Sequence, residues 1–528
     1  MTDLPSGWVS TTLGEIAETM LGKMLDRRKD TGEHPRPYLR NVNVQWGRID
    51  LDDVLTMDIP PGQEDVFKLE VGDLLMCEGG EIGRCAIWNH EGRYMAFQKA
   101  LHRVRPYGGI DSRYIRYLFE HLSREGRLLT FATGSTIKHL PQEQLRRVPV
   151  PLPPLAEQRR IVAALEDHLS RLDVAIISLQ KGREKVELFR SMIRERLSSG
   201  QVSTSSAWSE SGEAFLSRLR VGLDRAVRVR SRSSEGNREN SSELPALPDG
   251  WIWGKLNDLQ APEAGAITDG PFGSNLKSSH YTGEGPRVVR LQNIGDGEFI
   301  DERAHISPEH FADLRKHEVI SGDLLVASLG AELPRCCVMP ELKELAIVKA
   351  DCIRVRLHPE VRADYLNLVL RSPTSRRRTA DRIHGVGRPR LGLAEIRQLD
   401  VPIPPPEIQD ELVEWANVHM DQADRVDAAI ISAVSRGRHM RQSIFREAFS
   451  GRLVPQDPMD EPASVLLEKI KSEHAAVPAP KRRTRRTGLK AAEPISEGHT
   501  RPEDGTSPIV NIPAPSPLKG TPVQETLL

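Results

Sequence analysis

The residues of this chain best suited to chemistry are those able to hydrogen-bond nucleobase edges. Arginine and lysine match guanine and phosphate, whereas asparagine and glutamine match adenine. One group is Arg40, Asn43 and Gln45, joined by Lys138 after Thr133-Gly134-Ser135-Thr136. A second is Ser274, Asn275 and Lys277, followed by Arg290, Gln292 and Asn293. Arg376, Arg377, Arg378, Arg388 and Arg390 make the densest basic stretch of the second half and suit phosphate binding. Asn43 and Asn293 recur at matched places, which points to scaffold as much as to base reading.

Bond-making chemistry finds little support. Gly270-Pro271-Phe272-Gly273-Ser274 lacks the Gly-Lys-Ser/Thr ending of a phosphate loop and reads as a tight turn. Gly79-Gly80-Glu81-Ile82-Gly83 reads as a turn between strands. Cys336 and Cys337 are adjacent, a poor arrangement for one tetrahedral zinc, even with Cys352 and His358 in the chain. Asp323 with Glu341-Leu342-Lys343 is too undemanding a pattern for a nuclease, and Asp323 has a structural use in the turn before Leu324. No Asn-Pro-Pro-Tyr/Phe stretch suited to adenine methyl transfer is present. The expectation is a chain with no catalytic residue, no metal and no cofactor of its own.

What must position these groups is written twice. Val150-Pro151-Leu152-Pro153-Pro154-Leu155-Ala156-Glu157-Gln158 returns as Val401-Pro402-Ile403-Pro404-Pro405-Pro406-Glu407-Ile408-Gln409, a shift of 251 (401 − 150). Proline neither continues a helix nor donates to a sheet ladder, so each copy reads as an extended strap entering a helix. Leu165, Leu169, Leu172, Ile176, Leu179, Val186, Phe189, Ile193 and Leu197 then step by three and four, up to Gly200. In the second copy Leu412, Trp415, His419, Ala423, Val426, Ile430, Ala433, Met440, Ile444 and Ala448 keep the same register, up to Gly451. Both runs predict coiled-coil helices, with Gly182 and Gly437 as weak points. Gln158 and Gln409 open the two helices.

The remaining chain divides around them. Residues 1–150 mix short apolar runs with turns and one helical stretch from Ser112; 243–400 start the pattern again, Leu247-Pro248-Asp249-Gly250-Trp251 echoing Leu4-Pro5-Ser6-Gly7-Trp8. Gly322-Asp323-Leu324-Leu325 echoes Gly72-Asp73-Leu74-Leu75, and Arg335-Cys336 echoes Arg84-Cys85. Straps and helices occupy 151–200 and 401–452. The Ser/Arg-rich 201–242 reads as a mostly disordered linker containing a short basic helix over 215–230, and 453–528 as a disordered Pro/basic tail. A formal net charge of −1 argues against a protein that coats nucleic acid by charge alone. Five unpaired cysteines, no leader after Met1 and no long apolar run predict a reduced, cytoplasmic protein without a membrane segment.

Helices of roughly 40 residues are about 60 Å long, and a flexible linker of that length spans only roughly 35 Å. Parallel packing would need a return journey that the linker cannot make. The expected architecture is therefore mixed α/β: two globular domains separated by two long antiparallel helices, related by a pseudo-two-fold axis. Unlike heads at such a separation would read two unlike half-sites with unread bases between them.

The Leu-Pro-x-Gly-Trp openings, the Gly-Asp-Leu-Leu segments, the prolyl straps and the helices closing in Ser199-Gly200 and Ser450-Gly451 resemble the specificity (S) subunits of type I restriction–modification systems. Asp269-Gly270-Pro271-Phe272-Gly273-Ser274-Asn275-Leu276-Lys277 is similar to a stretch near the start of that family's target recognition domains. The resemblance implies a non-catalytic subunit that binds double-stranded DNA through two target recognition domains. It also implies that two methyltransferase (M) subunits dock on the helices and that motor nuclease (R) subunits join in restriction. S-adenosylmethionine, ATP and Mg2+ would serve those partners. Ile408 stands where the first strap has Glu157, so the two straps need not make the same contact. The alternative reading is a coiled-coil scaffold whose heads bind proteins, which the near-neutral charge favours.

Overall fold

The computed structural model describes residues 4–25, 32–135, 138–226, 244–385 and 387–476. Met1–Ser472 form one compact unit; in the second, Glu473–Leu528, only 473–476 are described. Residues 227–243 of the linker and 477–528 of the tail lie outside the described residues.

Each head is a mixed α/β body around a four-stranded antiparallel sheet. In the first the order is Ala17–Leu21, Leu101–Pro106, Leu74–Cys77, Cys85–Ile87; in the second it is Ile267–Thr268, Cys352–Val355, Leu324–Ala327, Arg335–Val338. The Leu74–Cys77 and Leu324–Ala327 strands are buried at every residue, which explains their unbroken apolar sequence. The aspartates preceding them have equal duties. Asp73 accepts the Glu70 N–H and pairs with Arg105 at 2.7 Å, while Asp323 accepts the Ile320 N–H and pairs with Arg356 at 2.9 Å. Asp323 is therefore spent on the turn, as its position implied.

The helices are α1 (Ser112–Arg124), α2 (Leu155–Ser198), α3 (Gly212–Ala226), α4 (Ala363–Leu370), α5 (Pro373–Ala380), α6 (Gln409–Phe449) and α7 (Ala463–Ala476). The straps differ from expectation. Pro149–Leu152 pairs antiparallel with Val9–Thr12, and Asp400–Ile403 with Ile252–Lys255. A strand in a two-stranded ribbon bonds through alternate residues, so alternating prolines can occupy its open edge. Tyr114 Oη then donates to Pro151 O (2.5 Å) and Tyr365 Oη to Pro402 O (3.0 Å), while Gln158 and Gln409 accept the N–H groups of Asp111 and Arg362. Each such partner lies 251 residues beyond its counterpart. The acidic residues of the straps diverge, however. Glu157 is buried and accepts from Trp8 Nε1 and Gln456 Nε2, whereas Glu407 takes the Ser209 N–H and hydroxyl.

α2 and α6 lie side by side in opposite directions. Arg190 pairs with Asp424 (2.6 Å), Arg441 with Asp173, and Arg183 with Asp427 (2.9 Å). The first two are one interaction seen twice, since 173 to 424 and 190 to 441 are both shifts of 251. Leu165, Ile193 and Leu412 are fully buried, and Leu172, Ile176, Leu179, Ile430 and Ile444 partly so. Val426 and Met440, expected in the seam, are instead half exposed, as is Phe189 to a lesser degree. Gly437 and Phe445 are buried in their stead, and Ala423 is buried as expected. A straight helix drifts by about 20° per heptad relative to a 3.5-residue repeat, so one apolar row turns outward. Neither glycine interrupts its helix. Gly437 receives Ile176 and Leu172, and Gly182 faces Ile430.

Each head is held by both long helices. α1 packs its Tyr114, Tyr117 and His121 on Phe445 and Phe449 of α6, while α4 and α5 pack on the far end of α2, where Thr374 N–H donates to Glu195. The chain continues in order past each helix. α3 buries Phe215, Leu216 and Leu219 against the second head, and α7 buries Leu466, Leu467 and Ile470 against the first. The Gly212 N–H donates to Gly250 O (2.7 Å) and the Ala463 N–H to Gly7 O (2.9 Å), the glycine of the Leu-Pro-x-Gly-Trp opening in each case. The short helix expected over 215–230 is present as α3 in its described part, and the expectation of disorder is corrected for 201–211 and 453–476. Short apolar stripes inside polar segments were masked by overall composition.

These contacts set the sign of two glycine substitutions. A Cβ at Gly182 would meet Ile430 at an ordinary 3.6 Å, while one at Gly437 would meet Ile176 at 3.3 Å and Leu172 at 3.4 Å. Gly182→Ala should stabilise by about 0.5–1 kcal/mol through helix propensity. Gly437→Ala should gain less or lose stability. Denaturant unfolding of the two variants would measure the contrast. Ile470→Ala should cost about 2–4 kcal/mol, and no loss would contradict the docking of α7.

Candidate nucleic-acid interface

Strand register gathers the nominated residues at one end of each sheet. In the first head Leu21 lies opposite His102, Cys77 opposite Leu101 and Met76 opposite Cys85. The segments 22–25, 78–84 and 98–100 therefore emerge together. Loop 133–139 joins them through pairing of His139 with Gly79 and Thr133. In the second head the same construction joins 269–277, 328–334 and 349–351 to loop 384–390, where Arg390 pairs with Leu329 and His384.

The 3-10 turns Asn41–Asn43 and Leu291–Asn293 sit at the same ends. Arg84 caps the first by donating to Asn41 O (3.0 Å), and Arg335 the second by donating to Leu291 O (3.3 Å). This explains why Arg-Cys recurs in the two halves. Around these like frames the exposed residues differ: Thr133-Gly134-Ser135 and Lys138-His139 on one loop, Gly387-Arg388-Pro389-Arg390 on the other. Such ends offer hydrogen-bond donors and positive charge on rigid supports.

The comparisons with known proteins agree on one family. The type I restriction modification DNA specificity domain matches residues 5–184. The EcoKI specificity subunit of Escherichia coli K12 is 22% identical over 493 residues, covering 90% of this chain and 97% of the relative. The EcoBI specificity subunit of Escherichia coli is 27% identical over 356 residues, covering 65% and 68% respectively. The chain is similar to the type I specificity subunits, most directly over residues 5–184. A solved chain from a study of assembly and conformational transition of the type I R-M system has the same fold, with a TM-score of 0.60 at 16% identity, covering 86% of this chain and all of that one. The specificity subunits to which this chain is similar are non-catalytic.

Within this frame the nominated residues separate. Asn43 is 2% exposed and Asn293 fully buried. Asn43 Oδ1 accepts the Arg40 N–H while its Nδ2 donates to Asp50 O and Asp53 O; Asn293 does the same with Arg290, Ile300 and Glu302. Both are removed from the base-reading set, because every polar atom they own is spent on the turn. Arg40 is bound to Asp53 (2.5 Å), Arg290 lies 3.8 Å from Glu302, and Gln292 Nε2 donates to Glu302 (2.6 Å). Gln45 is half-buried and donates to Val42 O. Lys138, Asn275, Lys277 and Arg388 are exposed at the loop ends. Arg390 is exposed and pairs with Asp351 at 2.7 Å. The Ser274 side chain lies outside the described residues.

The arginine run of α5 is corrected. Arg376 pairs with Asp296 and Glu332, and Arg378 stacks 4.4 Å over Trp253, where burial pulls its pKa down. They hold α5 in place beside α2, leaving Arg377 exposed. The cysteines are buried, and burial pushes Cys336 and Cys337 up to about 12. Among the described residues no His/Cys/Asp/Glu group is placed to hold a metal.

Sequence reasoning overlooked His102. Its Nε2–H donates to Leu140 O (2.8 Å) at the foot of loop 133–139, Nδ1 is buried without a partner, and burial lowers its pKa to about 4. The unfolded chain takes up this proton near pH 6.5, so the contribution to stability is complete above that pH and lost as pH falls towards about 4. His102→Gln should flatten stability over that window by up to ~3 kcal/mol, read from denaturant midpoints at pH 7, 5.5 and 4. Asn43→Ala and Asn293→Ala should each cost about 1–3 kcal/mol by orphaning buried backbone groups. Arg388→Ala should leave the unfolding midpoint unchanged.

Proposed function

We propose that this chain binds a bipartite, asymmetric duplex target, one half-site per head, and directs adenine methylation by methyltransferase subunits. Where a motor nuclease subunit is present, restriction follows. S-adenosylmethionine, and ATP and Mg2+ for restriction, serve those partners, and two M subunits sit on the helix pair. The heads are the two copies of an internal repeat, and α2 with α6 is its coiled-coil spacer.

The observation carrying this reading is the pairing of like frames with unlike exposed loops at the two ends of an antiparallel pair. Helices of 44 and 41 residues extend about 60 Å, enough to separate grooves by one or two turns of roughly 34 Å. The outward apolar rows, Val174, Ile177, Leu188 and Met192 on α2 with Val426 and Met440 on α6, suit M-subunit docking. No helix among the described residues is long and apolar enough to cross a membrane, in keeping with work on DNA in the cytoplasm.

Methylated-base sequencing of the host with and without this gene should reveal a split motif that disappears with the gene. Exchanging residues 1–150 for another family head, with Trp8 and Tyr114 retained, should rewrite one half of that motif only. A change in both halves or neither would refute the modular reading. Lys138→Ala and Arg388→Ala should each weaken duplex retention and reduce the salt slope by roughly one. Salt-independent binding would favour a protein scaffold instead.

A further inference from the structure

An exposed large apolar residue occupies the same place in both heads. Met24 is 67% exposed and Phe272 50% exposed. Each stands two residues after a glycine, Gly22 or Gly270, that lies flat on the edge of a neighbouring segment. A Cβ at Gly22 would overlap the carbonyls of Phe97 and Gln98, and one at Gly270 those of Val348 and Lys349. The glycines are 248 residues apart (270 − 22), unlike the 251 that relates the straps, so the correspondence is invisible until the sheets are superposed by register.

Both supports are stiff. In the second head the Asp269 carboxylate accepts the N–H groups of Gly270 (2.8 Å) and Asp351 (3.1 Å), and His317 Nδ1 donates to Asp269 O (2.7 Å). Beyond Phe272, His310 Nε2 donates to Asn275 O (2.9 Å). In the first head the Lys23 N–H donates to Phe97 O and the Lys99 N–H to Lys23 O, both at 2.9 Å. Positive charge borders each: Lys23 in the first, Lys277 and Lys349 in the second, with Arg390 tied to the same foot through Asp351. An apolar residue on a backbone held in this way, with positive charge beside it, loses little backbone entropy on binding. It matches a surface whose rim is anionic and whose interior is apolar, which describes a base step of duplex nucleic acid.

We propose that Met24 and Phe272 are matched wedges, one per half-site, that press against or between bases and so position each head on its half of the target. This rests on the DNA-reading function above. Phe272 would stack on a base face, and Met24 would fill the gap as a flexible thioether.

The test uses the full chain with its methyltransferase partner and a duplex bearing the motif found by methylated-base sequencing, with 2-aminopurine at successive positions. The wild-type complex should raise fluorescence at one step in each half. Phe272→Ala should abolish the rise in the second half only and weaken binding about 10-fold, with Phe272→Leu retaining most of both. Met24→Ala should act on the first half only. Neither variant should change the salt slope, because no phosphate contact is removed. Folded Phe272→Ala protein with unchanged fluorescence and affinity would overturn the inference while leaving DNA reading intact. So would equal loss of methyltransferase association without DNA. Failure of the wild-type complex to bind the duplex at all would overturn both.

Discussion

The molecule depends on the opposed alignment of α2 and α6. Two Arg–Asp pairs, 190 with 424 and 441 with 173, stand symmetrically about the middle of the pair. Exposed ion pairs contribute little energy, but they oppose a slide, because moving one helix by a turn would place unlike partners opposite one another. The close approach of Gly437 to Ile176 and Leu172 adds a steric stop at the same alignment. Where the heads stand is consequently a property of helix length and offset, set before any surface loop is considered.

That alignment reaches the heads through buried contacts. Each head takes one face from the helix that leaves it and another from the helix that returns. The first is sealed by Phe445, Phe449 and α7, the second by the end of α2 and by α3. Within this casing the sheet ends are free to vary. Asn43, Asn293, Arg84 and Arg335 maintain the frames, leaving the loops that follow to carry chemical difference.

Much of the architecture was legible in the sequence because it is periodic or duplicated. The second long helix was bounded correctly from its heptads, and a linker too short for a return journey foretold the antiparallel arrangement. What escaped was local. Leu466, Leu467 and Ile470 form a stripe too short to stand out in a charged tail, and the alternating prolines concealed a strand edge. For the candidate interface, residue type could not distinguish a donor aimed outward from one consumed inward. Asn43, Asn293 and Arg378 have suitable chemistry and spend it on their own backbone or on Trp253. Met24 went unnoticed because three residues of altered spacing separate its counterpart from the common register.

The docking of α3 and α7 bears on how such proteins diversify. The spatial first head is assembled from both extremities of the polypeptide, because Ala463 bonds to Gly7 and Ile470 packs beside the Trp8 cluster. A genetic crossover near codon 150 therefore imports the variable loops of a donor while leaving the recipient's C-terminal clasp. Inheritance of a new recognition surface succeeds when the residues that meet the clasp, Gly7 at Ala463 and Gly108 against Leu466 and Ile470, are compatible, whatever the loops say. Shuffling is thus filtered by a small apolar seam, and lineages sharing that seam form a common pool of exchangeable heads.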